Sequence, residues 1–504
     1  MQPAAARTDR ISALGTATWV YAGLAALLLV RAVALYFNQT DLFFDEAQYW
    51  HWGKEPALGY YSKPPLIAWL IGATTVACGD STFCIRLPAP VLHTLTAGVI
   101  FEIGRRFVSP AVGAWAAIGF ATLPGVSLSA GIISTDVPLL LCWAVALLAY
   151  LELGRSRRWA AAVALGAAIG IGLNAKYAMA FFLVSMAVHL AASPSYRQIL
   201  VGRQLWVAIG LAILLIIPNL AWNLGNGFAT FAHTADNARW SGTLLSFGKG
   251  LEFIGGQFGV FGPVLFGALL VIAYRAARRE LTDLEGLFLC FTLPVLLMMS
   301  TQAFISRAHA NWAATAYVAG ILLVTTVLTR SGASRWLWRS LVLHVVIAGA
   351  LAIGPAYAGR FVLPAIGDPY QRMLGWKALV SEARDHLAAA RRANAPFAAI
   401  LADERAMTAE LLYYLRDDPT PVVAWRDGPR PRDHFELTRP LTGSSQTPAL
   451  LVSLRRDATH ITRRFAEVEL IAETKVPAGL GTPRTVRFFR LSGILHDKNP
   501  DRAR

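Results

Sequence analysis

Along the first 360 positions of this chain, hydrophobic residues neither alternate nor keep to one helical face. They run in blocks of spanning or near-spanning length, separated by short charged connections. The blocks fall at 15–37, 85–107, 110–128, 135–153, 159–173, 177–192, 205–221, 254–275, 285–304, 308–328 and 340–358, which predicts about eleven transmembrane helices. The first block is too long for a signal-peptide core and lacks a convincing small-residue cleavage site after it, so it is read as a retained anchor. A shorter block, "PPLIAWLIGATTVA" (64–77), opens with two prolines and has the length of a helix lying in the outer interface.

The pattern changes after about residue 360. Apolar runs shorten to "FAAILA" (397–402), "PVVAW" (421–425), "ALLVSL" (449–454) and "TVRFFRL" (485–491), and they alternate with helical stretches at 376–392 and 404–415. The expected architecture is an all-α polytopic membrane part over 1–360, with an outer first loop at 38–84. It is followed by a small C-terminal α/β extramembrane domain over 361–495 and a disordered tail at 496–504.

Composition agrees: hydrophobic residues make up 55% and charged residues 15%, with a mean hydropathy of +0.47. The net charge of +15 raises nucleic acid as a partner, but the distribution of the basic residues argues against it. Arg7/Arg10, Arg105/Arg106, Arg155/Arg157/Arg158, Arg197/Arg203, Arg275/Arg278/Arg279 and Arg330/Arg335/Arg339 occupy every second connection, which marks those connections as cytoplasmic. The amino terminus is then inside, and the 38–84 loop, the 222–253 loop and the C-terminal domain are outside. The four cysteines, Cys78, Cys84, Cys142 and Cys290, form no CxxC pair and imply no metal framework; Cys78 and Cys84 can pair if their loop faces an oxidising compartment.

With the faces assigned, the informative cations are those on the outer side: Lys54, Lys63, Arg86, Lys176, Arg239, Lys249 and Arg307. Asp45, Glu46, Asp136 and Asp236 share that side. A cluster of ionisable groups drawn from several loops at a membrane rim suggests a site, the cations suiting an anionic lipid headgroup and the carboxylates acid/base work or a metal. Each residue also has a plain structural explanation. Asp45 and Glu46, or Asp136, can cap helices; Trp50, Trp52, Tyr60 and Tyr61 suit an interfacial belt as well as a sugar-stacking platform; His233 suits a solvated loop. Lys63 resists such an explanation, because a cation just before a Pro-Pro helix start opposes the helix dipole.

Six segments, in order, resemble the blocks of the polyprenyl-phosphate-sugar glycosyltransferases of the C-type membrane fold: "DEAQYWHWGKEPALGYYSKPPLIAWLI", "GDSTFCIRLPAPVLHTLTA", "STDVPLLLCWAVAL", "NAKYAMAF", "IPNLAWNLGNGFATFAHTADNARW" and "HANWAATAYVAGILL". That group includes the protein O-mannosyltransferase family (glycosyltransferase family 39) and the lipid A aminoarabinose transferase. "ILADERAMTAELLYYL" and "DHFELTRP" extend the likeness into the C-terminal domain. The resemblance implies an inverting transfer of a sugar from a polyprenyl-phosphate donor to a glycolipid, glycan or protein acceptor, within membrane lipids, on the periplasmic side of a bacterial inner membrane. It implies Asp45 as the catalytic carboxylate and Asp136 as a second acid. Lys63 would contact the donor phosphate, joined by Lys176 and Arg239. Glu46, Tyr61 and His233 are further site candidates. One departure is Ser62, where the aminoarabinose transferase pattern has an acid implicated in metal binding. A lone His233 does not make a metal site, so no cofactor is assigned and a divalent ion stays open. A lipid or solute transporter would instead carry paired broken helices in two similar halves, and no half-repeat is visible. A non-catalytic scaffold would leave the charged loop without a purpose.

Overall fold

The structure, a computed structural model, describes residues 3–238, 245–278, 280–364 and 366–495; the side chains of residues 3–14 and of Ser444 stand outside that description. The tail expected at 496–504 also lies outside the described residues.

The apolar blocks coincide with helices. Among the described residues, six of these helices are long and apolar enough to cross a membrane, and a seventh crossing exists if Phe247–Val260 and Pro263–Ala277 count as one. Four further blocks are shorter helices: Pro110–Thr122, Trp159–Ala175, Tyr177–Ala192 and Ala316–Arg330. At 1.5 Å per residue, helices of this length reach about 20–26 Å against a hydrocarbon core of about 30 Å. Length and composition therefore qualify fewer crossings than the expected eleven. The 254–275 block, read from sequence as one segment, is two helices meeting at 117°. Gly262 at the break has φ +87°, and Pro263, which follows, carries no N–H for the preceding helix. The Asp136–Ser156 and Ala316–Arg330 helices lie deepest, packed around a core that includes Trp143, Tyr150 and Tyr317.

The first loop folds into two helices, Phe44–Lys54 and Leu66–Cys78. They cross backbone to backbone at Gly53 and Gly72; a Cβ on Gly53 would lie 2.9 Å from both Ala68 O and Gly72 N. A Cys78–Cys84 disulfide ties the end of the second helix to the Thr82–Arg86 helix.

The C-terminal region contains the helices Trp376–Arg392 and Arg405–Tyr414 and a five-stranded mixed sheet. Its strands are β1 (Ala399–Ala402), β2 (Val422–Ala424), β3 (Ala449–Ser453), β4 (Phe465–Val476) and β5 (Arg484–Ile494), in the order β2-β1-β3-β5-β4. Strand β1 pairs in parallel with β2 and β3, while β5 pairs antiparallel with β3 and β4. The apolar runs of the sequence locate four strands; β4, "FAEVELIAETKV", is the longest and was not foreseen. It is an edge strand exposed along most of its length, so its polar composition hides it. This region rests on the first loop through one shared apolar cluster, in which Ala409, Tyr413, Ala424 and Phe435 meet Leu42, Ala47, Trp50, Trp52 and Tyr60.

Candidate functional site

The Phe44–Lys54 helix starts with two adjacent carboxylates that part company at once. Glu46 turns inward and is fully buried. Its carboxylate accepts the Phe43 N–H at 2.9 Å, the Ile133 N–H at 3.0 Å and the Arg86 guanidinium at 2.7 Å. Arg86, also buried, spends further donors on Thr40 Oγ1 and Asp41 O. This group fixes the entry of the helix and leaves Glu46 no route to a substrate.

Asp45 points the other way and stays about a third exposed, at 35%. Its Oδ1 accepts from Arg405 at 2.6 Å, and the same guanidinium nitrogen donates to Gln48 Oε1 at 2.8 Å. Arg405 opens the Arg405–Tyr414 helix, and its guanidinium also lies over the Phe44 ring. It comes from a position 360 residues away.

Asp136, first residue of the Asp136–Ser156 helix, makes no cap there. Its Oδ1 accepts from Lys176 Nζ at 2.6 Å and its Oδ2 from Asn311 Nδ2 at 2.8 Å. Lys63, in the turn between the two loop helices, lies within electrostatic reach of Lys176, Asp45, Asp136 and Arg405. Burial and then Lys176 lower its pKa, while the two aspartates pull it back up. Among the described residues its ammonium has no ion-pair or hydrogen-bond partner, whereas Lys176 and Arg405 are each paired with an aspartate. The local sum of these five groups is three cations against two anions, and the uncompensated charge sits on the half-buried Lys63. Such a position favours a bound anion.

His233 and Tyr61 form one edge of the cluster. Their rings meet at 5.6 Å, edge to face. His233 shares a hydrogen bond with Asn237 at 2.9 Å. Its pKa is pushed down to about 4, first by burial and then by Lys63 and Arg405, so it is neutral at neutral pH. Tyr61 donates to Pro431 O at 2.9 Å. Trp50, Trp52 and Tyr60 are not an interfacial belt: all are buried, with Trp52 and Tyr60 stacked at 4.4 Å beneath the C-terminal region. Arg239 lies outside the described residues. Among the described residues no three His, Cys, Asp or Glu side chains converge as metal ligands.

Asp45, Lys63, Asp136, Lys176 and His233 thus share one cluster, and Glu46 serves the scaffold behind it. The sequence did not single out Arg405 or Asn311. Both stand inside quoted segments, "ILADERAMTAELLYYL" and "HANWAATAYVAGILL", but nothing local distinguishes them from surface polar residues.

Comparison with known proteins is consistent with this geometry. Residues 62–222 match the family described as dolichyl-phosphate-mannose-protein mannosyltransferase. The lipid A galacturonosyltransferase RgtD of Rhizobium johnstonii is 38% identical over 409 residues, covering 81% of this chain and 85% of that protein. The lipopolysaccharide core galacturonosyltransferase RgtA of the same organism is 26% identical over 263 residues, 51% of this chain and 52% of its own length. Among solved structures, ArnT from Cupriavidus metallidurans, in the apo state and bound to undecaprenyl phosphate, superimposes with a TM-score of 0.64 at 15% identity. The match covers 94% of this chain and 98% of ArnT, a likeness of fold.

Proposed function

The chain belongs to the polyprenyl-phosphate-sugar-dependent membrane glycosyltransferases that include the lipid A galacturonosyltransferase, and from that premise we propose that it transfers a uronic acid from a polyprenyl phosphate to lipid A. The reaction takes place at the periplasmic face of the inner membrane. Two observations support that side: the basic clusters at alternate connections, and a disulfide in the first loop, a bond that persists in oxidising compartments.

The observation that carries the mechanism is the half-buried Lys63, unpaired among the described residues, beside the aspartate pair. The bond between the anomeric carbon and the phosphate oxygen breaks, and negative charge grows on the leaving phosphate. Lys63, with Lys176 and Arg239 as further partners, stabilises that charge more in the transition state than in the ground state. The acceptor hydroxyl oxygen forms the new bond from the opposite face, which inverts the anomeric centre. Its proton passes to Asp45, whose Oδ2 has no partner among the described residues while Oδ1 is held by Arg405. Asp136 holds Lys176 in place, with Asn311 on its second oxygen. Tyr61 and His233 form the wall on the side of the 222–253 loop.

The test is direct. Purified protein in nanodiscs, supplied with polyprenyl-phosphate-linked galacturonic acid and lipid A, is expected to add one uronic acid to lipid A by mass spectrometry. Transfer of a neutral sugar in preference to the uronic acid would overturn the donor assignment. Product on core oligosaccharide and none on lipid A would overturn the acceptor assignment.

A further inference from the structure

A polar cavity, of about 360 Å³, opens where the end of the first helix meets the C-terminal region. It is not the cluster around Asp45. The Arg405–Tyr414 helix separates them: its first residue holds Asp45 and its last lines the cavity, about 14 Å apart by helix rise. Three cations reach this space, Lys377, Arg384 and Arg416. Arg384 donates to Tyr414 O at 2.6 Å, and Arg416 donates to Tyr413 O at 2.9 Å while lying over the Tyr413 ring. Each guanidinium is thereby anchored through one nitrogen, leaving its other donors for a ligand. Lys377 makes no side-chain bond among the described residues. Two carboxylates also line the cavity, Asp41, whose Oδ2 accepts from the Trp376 and Lys377 N–H groups at 2.8 and 3.3 Å, and Asp417, so the three cations still outnumber them. Asn38 and Gln39 complete a lining of amides, hydroxyls, rings and cations.

The cavity's position adds the second half of the ligand. Asn38 and Gln39 directly follow the first helix, a qualifying membrane span over Gly15–Tyr36. That helix exposes Val33 and Tyr36 near its outer end, and Phe37 next to it is exposed too. An apolar strip that ends at a cationic polar cavity has the shape of an amphiphile site.

We propose that this cavity binds the phosphate-bearing headgroup of a membrane lipid whose acyl chains lie along the first helix. If the lipid is the acceptor, a point that rests on the function proposed above, the cavity grips one end of the glycolipid while the Asp45 cluster acts on the other.

The full-length protein is reconstituted in phosphatidylcholine nanodiscs doped at equal mole fraction with bisphosphorylated lipid A or with phosphatidylglycerol, and retained lipid is counted by native mass spectrometry. This readout needs no transfer activity. The Arg384→Gln/Arg416→Gln double variant is expected to lose retention by about tenfold or more, as loss of charge-assisted hydrogen bonds implies, and the Lys/Lys double variant should recover part of it. Lipid A retained above phosphatidylglycerol identifies the acceptor as the occupant; equal retention of both, lost in the Gln variant, identifies a general anionic-lipid site. Retention of both lipids unchanged in a correctly folded Gln variant overturns the proposal. In the transfer assay, the acceptor outcome also requires a raised KM for lipid A with the donor KM unchanged.

Discussion

One helix, Asp136–Ser156, carries a charged cluster at each end, and the two are built on opposite principles. At its far end Glu152 pairs with Arg155 and Arg106, while Glu102 pairs with Arg105 and Arg106. Most of those contacts are three or four residues apart, the spacing of neighbours on a helix face. Every acid there is shared among arginines that are a third exposed or more. At the near end Asp136 and Lys176 are 40 residues apart, Asp45 and Arg405 are 360 apart, and Lys63 is left uncompensated. Both clusters set three cations against two carboxylates, but at the far end every arginine is paired and at least a third exposed, and such a network serves solubility and orientation. One assembled from distant segments, with a half-buried cation left unpaired among the described residues, suits a charged ligand.

The sharpest attack on that contrast is Asp45→Asn, which keeps shape and removes basicity. Turnover on a hydroxyl acceptor should fall about 10² to 10⁴-fold. A variant retaining more than roughly a tenth of wild-type turnover would be incompatible with a general base at this position. Lys63→Ala should cost about 10² to 10³-fold in transfer, as removal of a transition-state charge partner does, with the yield of folded protein unchanged. Lys63→Arg should recover part, since a planar fork replaces a compact ammonium imperfectly; wild-type turnover in Lys63→Ala would make the lysine a mere anchor.

Arg405→Ala is expected to lower kcat about tenfold, the scale of one half-exposed charge-assisted hydrogen bond. The donor KM should hold, because Arg405 is engaged with Asp45 and Gln48 and acts through the orientation of Asp45. A shift confined to the donor KM would place it instead among the phosphate partners. The smallest effect belongs to the far cluster: Glu152→Gln should change stability by less than about 1 kcal/mol and leave transfer intact. A large loss of activity there would erase the distinction between the two ends.

Adjacent residues show how much of the site could be read from the chain. The quoted first loop pointed to Asp45, Lys63 and Tyr61 because charge and aromatics crowd a short stretch outside a span. It pointed to Glu46 for the same reason, yet Glu46 is spent on Phe43, Ile133 and Arg86. A one-residue step along a helix turns a side chain by about 100°, and composition does not say which direction faces the charged cluster. Arg405 and Asn311 gave no local signal at all. Similarly, helices at 376–392 and 405–414 and four strands were legible from period and apolar runs, while β4 was masked by its exposure at the sheet edge.

By itself, then, the amino-acid order determined the membrane class, the alternation of basic connections and the existence of a C-terminal α/β region. These follow from hydrophobic run length and charge placement, which are properties of local sequence. Tertiary structure alone decided that the 254–275 block breaks at Gly262, that the aromatic residues of the first loop form a core under the C-terminal region, and that Arg405 closes on Asp45. It also decided which of two neighbouring carboxylates stays accessible. Those outcomes depend on which surfaces meet across hundreds of residues, and the free energy of such contacts is set by packing and desolvation at the interface.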